Sequence, residues 1–229
     1  MNIYIINLER DAYRLEKYKK DKEKYIIYTA IDGSKLSDDN EYLKKIICFW
    51  NISDKLKRNV VGCLLSHINI MKEIIEKKIN KTIIMEDDAV LDFENLDKIN
   101  LDELPQDKMI YFGGIFRPTT IKNNKDWSYS KCIKDLKPGL NEINTESYKL
   151  GGTHSYYFPT WECCEKVLNY LESKERIRAI DTEFISIQKK RPDLCSQFYY
   201  PALGYLDINE AKQGFTGKAY GIPRNMKNY

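Results

Sequence analysis

The stretch GCLLSHINIMKEIIEKKINKTIIMEDDAVL, residues 62–91, carries a helix and a strand in succession. Leu64, Ile68, Met71 and Ile75 recur at i, i+4, i+7 and i+11, with Ile74 beside them, which predicts an amphipathic helix over 62–78. Lys77 and Lys78 suit the negative end of its dipole. Residues 81–88, KTIIMEDD, then read as a strand whose apolar run passes without a break into Glu86, Asp87 and Asp88. Like charges repel by about 1 kcal/mol at about 4 Å in water, and by several where water is partly excluded. Apolar residues on both sides hold this triplet close to a core, so its repulsion needs an offset. A cation, a helix N-terminus or a shared proton would supply one. A hard divalent cation, Mg²⁺ or Mn²⁺, suits carboxylates best, and it often shares its ligation with a diphosphate. The plain alternative is an exposed polar strand end.

The rest of the chain repeats the alternation. Residues 3–7 read as a strand. A charged helical segment over 10–24 presents Lys17, Lys19, Lys20, Lys22 and Lys24 as a solvated face. Residues 25–32 read as a second strand, stopped by Asp32-Gly33, and 35–47 as a helix. Strands are expected over 108–114, 153–159 and 196–203, and helices over 161–174 and 181–190. The domain is expected to span 1–208, with 209–229 a tail without regular structure. Segment 115–150 has little pattern and reads as a mobile loop over the ligand site. Strands alternating with helices predict an α/β fold: one Rossmann-like, mostly parallel sheet with helices on both faces. Ligands of such sheets bind beyond the carboxyl ends of the strands. That rule puts NLERD, AIDG, EDD and FGG on one rim.

Composition narrows the class. The 229 residues are 42% hydrophobic and 31% charged, which suits a globular chain large enough for one good core. A net charge of +3 does not demand a nucleic acid partner. No apolar run approaches the roughly 20 residues of a membrane span, and the start lacks the pattern of a signal peptide. The expected location is cytoplasmic. The Lys-, Ile-, Asn- and Tyr-rich composition hints at an AT-rich genome, a microbe or a large virus, and for a virus the location becomes the host cytoplasm. Cys48, Cys63, Cys132, Cys163, Cys164 and Cys195 form no C-x-x-C pair and read as buried free thiols.

Individual residues have two readings each. His67 lies on the strong helix, as a packed histidine or a catalyst. His154 follows Gly151 and Gly152, which would let backbone approach a ligand. Asp181 and Glu183 open a helix, where a carboxylate can cap or act as a base. Arg10 and Arg14 are surface charges or phosphate contacts. Trp50, Trp127 and Trp161 could stack on sugars or fill the core.

With these blocks in order, the sequence resembles glycosyltransferase family 25. Residues 62–91 are similar to its G-C-x-L-S-H helix and E-D-D strand. IINLERDAYR, AIDG, GGTHSYYF and AIDTEF resemble its shorter blocks. The resemblance implies a GT-A fold, a UDP-sugar donor, Mn²⁺ or Mg²⁺, and inverting transfer of a hexose (galactose, glucose or GlcNAc) to a hydroxyl of a glycan or glycoprotein. It implies Asp88 and Glu86 as metal ligands. It sets Asn7, Arg10, Arg14, Asp32, Gly33, Ser66, His67, Asp87, Gly152 and His154 on the donor side. Asn59-Val60-Val61, Tyr13 and Pro159-Thr160 depart from the family pattern and bear on sugar and acceptor choice. Asp181 is the expected general base, with Glu183 second. A metal-dependent hydrolase of nucleotide-sugars or phosphoesters, and a nucleotide-sugar-binding module without catalysis, are the rival classes.

Overall fold

The computed structural model describes residues 1–47, 52–118, 136–206 and 220–221. The strands are β1 (Asn2–Asn7), β2 (Ile26–Thr29), β3 (Thr82–Glu86), β4 (Ala89–Leu91), β5 (Ile110–Pro118), β6 (Gly139–Glu142), β7 (Tyr148–Phe158), β8 (Gln197–Tyr200), β9 (Gly204–Leu206) and β10 (Tyr220–Gly221). The α-helices are α1 (Glu41–Lys45), α2 (Asp54–Glu76), α3 (Phe93–Leu96), α4 (Trp161–Glu172) and α5 (Ile180–Lys190). A run of 3-10 turns occupies Glu9–Lys24.

The main sheet has the order β2-β1-β3-β7-β5-β8-β6, with β10 added against β5. Strands β1, β2, β3, β5 and β8 run one way, and β6 and β7 the other. This is the α/β, GT-A-type sheet that the resemblance implies. Strand alternation gives it two apolar faces. Tyr4, Ile6, Ile84, Tyr156 and Phe158 pack under Leu64, Ile68 and Met71 of α2, together with α4 and α5. Ile3, Ile5, Ile83, Met85 and Tyr157 pack against Tyr18 of the 3-10 run, Leu96 of α3 and the small β4–β9 ribbon.

Strand β7 departs from the expected parallel sheet. It lies between β3 and β5 and is antiparallel to both, with Met85 opposite Ser155. That reversal sets the middle of β7, with Gly152, Thr153 and His154, beside the carboxyl end of β3. A parallel β7 would have sent these residues to the opposite rim.

Helix α2 begins two turns before the expected start. Ser53 caps it by accepting from the Leu56 N–H at 3.3 Å. Its first turns are mostly polar, with Leu56 exposed and only Val60 and Val61 extending the stripe, so the stripe from Leu64 onward undercounts the helix. The helix expected over 35–47 shrinks to α1, because Asn40 accepts from Tyr42 and Leu43 N–H and starts it late. The segment over 10–24 is a kinked 3-10 run, broken where Asp11 and Asp21 leave helical backbone angles. Lys19, Lys20, Lys22 and Lys24 are exposed on it, as expected. Within 115–150, the ends of β5 and β7 and all of β6 are regular, which corrects the reading of one long loop. The remainder of that segment, residues 119–135, lies outside the described residues, as do Cys48, Cys132, Trp50 and Trp127. So does the expected tail, except Tyr220–Gly221, which joins the sheet through β5.

Gly62 fixes where α2 sits. A Cβ there would lie 2.6 Å from the Ile31 carbonyl oxygen and 2.7 Å from the Gly33 nitrogen. One turn on, the Ser66 hydroxyl accepts from the Ile31 N–H and donates to the Gly62 carbonyl, both at 2.8 Å. The helix is thereby clamped onto the turn that follows β2. Gly62→Ala is expected to lower stability by about 1–3 kcal/mol through overpacking. Urea denaturation at constant m-value is the check, and an unshifted midpoint would show that the turn yields freely.

Candidate active site

The three carboxylates do not act as a block. Glu86 ends β3 on the face shared with Ile84, toward α2. Its Oε1 lies 3.3 Å from His67 Nε2 and accepts from the Thr153 hydroxyl. Asp87 turns to the other face. It accepts from Asn7 Nδ2 at 2.7 Å and from Arg14 at 2.9 Å, while the Tyr18 hydroxyl donates to its carbonyl at 3.2 Å. Asp88 returns toward Glu86, and its Oδ1 is buried without a hydrogen-bond partner. Ligand atoms of Glu86, Asp88 and His154 all lie within 4.8 Å of one another, a group able to hold a divalent cation.

The electrostatics follow from this split. Burial opposes ionisation of Glu86, but the His67 hydrogen bond, the field of His67 and His154, and the Thr153 hydroxyl outweigh it and hold the carboxyl down at about 2. Burial also pushes Asp87 up, against the pull of Arg14 and Asn7. Asp88 lacks such partners. Burial first, then the Glu86 and Asp87 charges, raise it to about 7. The repulsion within the triplet therefore falls mainly on Asp88.

The histidines are built in. His67 is fully buried, with Nδ1 2.7 Å from the Tyr156 hydroxyl. Gly152 has a φ of 85°, and a Cβ there would meet His154 Nε2 at 2.7 Å, so only glycine lets that ring pack back over the strand.

A cleft of about 390 Å³ opens on the same rim of the sheet, past the carboxyl ends of β1 and β2, which run parallel to β3. Arg10 and Lys35 bring positive charge to its wall, with Thr29 and Asp32 alongside. Asp32 is held down to about 2 by the Ser34 hydroxyl and N–H and by Arg10, whose guanidinium donates to it at 2.6 Å. Arg10 lines the cleft while paired with Asp32, whereas Arg14 is paired with Asp87 and does not line it. Gly33 and Ser66 form the clamp beneath it. They position this wall through the backbone.

Asp181 opens α5, and its charge, like those of Glu86 and Asp88, reaches the Cys63 thiol. Glu183 is different from the expected second base. It is 1% exposed, and Lys174 and Arg178 hold its carboxylate, Arg178 through both its backbone N–H and its side chain. Arg178 and Lys174 keep it ionised against burial. This is an anchor for the entry to α5, not a group aimed at a substrate. Cys163, Cys164 and Cys195 are buried free thiols, as expected. Cys63 is exposed, because it faces the recess rather than the sheet. Thr153, Tyr156, Tyr18 and Lys35 carry no signal of their own in the sequence. Tyr156 was within reach, since it stands two residues after His154 on the same face of β7.

The family model described as glycosyltransferase family 25 (LPS biosynthesis protein) matches residues 1–183, which include every element above up to the start of α5. The chain belongs to glycosyltransferase family 25. This family 25 chain is 31% identical to mouse procollagen galactosyltransferase 2, over 48% of this chain and 20% of that protein. It is 29% identical to the human protein of the same name, with the same coverage. It thus spans about a fifth of the length of these curated relatives. Among solved structures, apo mouse xyloside xylosyltransferase 1 aligns at a TM-score of 0.42 and 16% identity, covering 86% of this chain and 70% of that one. No helix among the described residues is long and apolar enough to cross a membrane.

Proposed function

We propose that this family 25 chain is a metal-dependent, inverting hexosyltransferase that moves a hexose from a UDP-sugar to a hydroxyl of a glycan or glycoprotein. The observation that carries the reading is the convergence of Glu86, Asp88 and His154 at the carboxyl end of β3, on the sheet rim that also holds a cleft walled by Arg10 and Lys35. The orphaned, buried Asp88 Oδ1 and a donor set of two hard carboxylates with one borderline imidazole fit Mn²⁺ best, with Mg²⁺ second. When bound there, the ion supplies positive charge to a departing diphosphate.

The chain's own residues do the rest. Arg10 and Lys35 add charge at the donor cleft, so diphosphate is stabilised as it leaves. Asn7 and Arg14 keep Asp87 turned away, leaving Glu86 and Asp88 to converge. Thr153 and His67 orient Glu86. Asp181 takes the proton from the acceptor hydroxyl as the sugar carbon is attacked. The curated relatives are galactosyltransferases by name, so UDP-galactose is the first donor to try.

The test is UDP release from a panel of UDP-sugars with Mn²⁺, with Mg²⁺ and with EDTA, with and without glycan and glycoprotein acceptors. Metal-dependent release from one sugar, accelerated by an acceptor, is expected. Release that is as fast without acceptor would point to the hydrolase class. UDP binding by calorimetry with no turnover against any acceptor would point to a binding module.

A further inference from the structure

The recess holds a second group of donors that the transfer reading leaves unused. Cys63 and His67 stand one turn apart on α2, on the side facing Glu86. Ligand atoms of Cys63, His67 and Glu86 all lie within 4.8 Å of one another. We infer that these three side chains form a second metal site, selective for a softer, zinc-class divalent ion and sharing Glu86 with the group of Glu86, Asp88 and His154.

The donor set decides the selectivity. A thiolate with an imidazole favours zinc-class ions, whereas carboxylates favour manganese and magnesium. Thiolate, imidazole and carboxylate supply three of the four tetrahedral positions, and water completes the fourth. Zinc–ligand lengths of about 2.0–2.3 Å imply donor separations of roughly 3.3–3.8 Å. His67 Nε2 and Glu86 Oε1 stand 3.3 Å apart already. The site is also built from behind. The Tyr156 hydroxyl, 2.7 Å from His67 Nδ1, can accept the Nδ1 proton, so that loss of the Nε2 proton, which Glu86 accepts in the metal-free chain, frees that nitrogen for the ion. Cys63 is exposed as a residue, while its thiol is turned inward and desolvated.

Binding converts Cys63 S–H to a sulfur–metal bond and replaces the His67 Nε2 proton by the ion, and both protons leave to solvent. Burial and the Glu86, Asp181 and Asp88 charges raise the free thiol above its ordinary value. The same negative surroundings attract a cation, and a bound cation offsets them. One Glu86 cannot serve both groups fully at once. A zinc-class ion is therefore expected to compete with manganese, an effect on turnover that rests on the function proposed above.

Cobalt(II) titration of the full chain tests the site by absorption, without turnover. One equivalent is expected to give tetrahedral d–d bands and a thiolate-to-cobalt charge-transfer band, both removed by added zinc. Cys63→Ser should lose the charge-transfer band. Tyr156→Phe, which keeps the ring, should weaken cobalt binding by about tenfold or more. Asp88→Asn should keep the band, which separates this site from the manganese group and from any failure of the transferase reading. No thiolate band in the folded wild-type chain, or a band that persists in Cys63→Ser, would overturn the proposal.

Discussion

Asp88→Asn is expected to make the metal-free chain more stable at pH 8 while removing metal-dependent transfer. Asp88 is raised to about 7, by burial first and then by Glu86 and Asp87. Its ordinary value is 3.8. A raised acid favours the folded state only while protonated. Its contribution is full below the unfolded value, declines as the pH climbs, and is gone above about 7. At pH 8 the wild-type chain must hold an unpaired buried charge, and Asn does not carry it. A tenfold change in proton affinity on folding corresponds to about 1.4 kcal/mol. Because the triplet is coupled and can relax, about 2 kcal/mol is a sound expectation, or a rise in Tm of about 4–8 °C for a chain of this size. At pH 4 the gain should disappear. Mn²⁺ should raise the Tm of the wild type, because it binds only the folded chain, and leave the variant unmoved. UDP release should fall by a factor on the order of 10²–10³, as when a preorganised charge is removed. Scanning calorimetry at pH 4 and pH 8, with and without Mn²⁺, reads the stability effects, and the release assay reads the rest. Equal Tm values at pH 8 would mean that Asp88 is solvated or shares a proton.

Asp181→Asn and Glu183→Gln should part company. The first is expected to lower the transfer rate by a factor on the order of 10²–10⁴, the usual contribution of a general base. UDP affinity and folding should stay as they are, because Asp181 does not line the cleft of Arg10 and Lys35. The second removes the partner of Lys174 and Arg178 from a site where the carboxylate is 1% exposed. Breaking a buried pair leaves uncompensated charge. Here the two cations are partly exposed, at 18% and 26%, so about 2–3 kcal/mol is expected rather than the full loss. Transfer per folded molecule should survive. Single-turnover rates and urea midpoints on both variants decide it. A Glu183→Gln chain that is stable but inert would reverse the two roles.

The parts legible in sequence were those with a period or a stop. The stripe Leu64, Ile68, Met71 identified α2, and the run Ile83 to Met85 identified β3, because burial of one face imposes spacing. The direction of β7 was not legible. An apolar strand reads the same either way, and pairing partners far along the chain choose its direction. The β4–β9 ribbon and β6 escaped because three or four residues are too few to show alternation. The site was legible as a list of residues, and less so as an arrangement. EDD announced a charge problem, but the division of Asp87 from Glu86 and Asp88 depends on Asn7 and Arg14, which lie far away in sequence. Glu183 looked like Asp181 because both open α5. Only the approach of Lys174 and Arg178 tells them apart.

The reversed β7 also bears on how the chain comes off the ribosome. Strands β1, β2 and β3 form one half-sheet, and β5, β8 and β6 the other, with β7 the seam between them. Every strand of the first half is synthesised before Tyr148. Until β7 arrives, β3 is an open edge carrying Ile83, Ile84 and Met85, all fully buried in the finished chain. Open apolar edges invite pairing with the wrong strand. The nascent chain thus passes through a vulnerable interval that closes when the seam is sewn. The same event brings Thr153 and His154 to Glu86, so the acidic group is completed only once β7 has paired with β3.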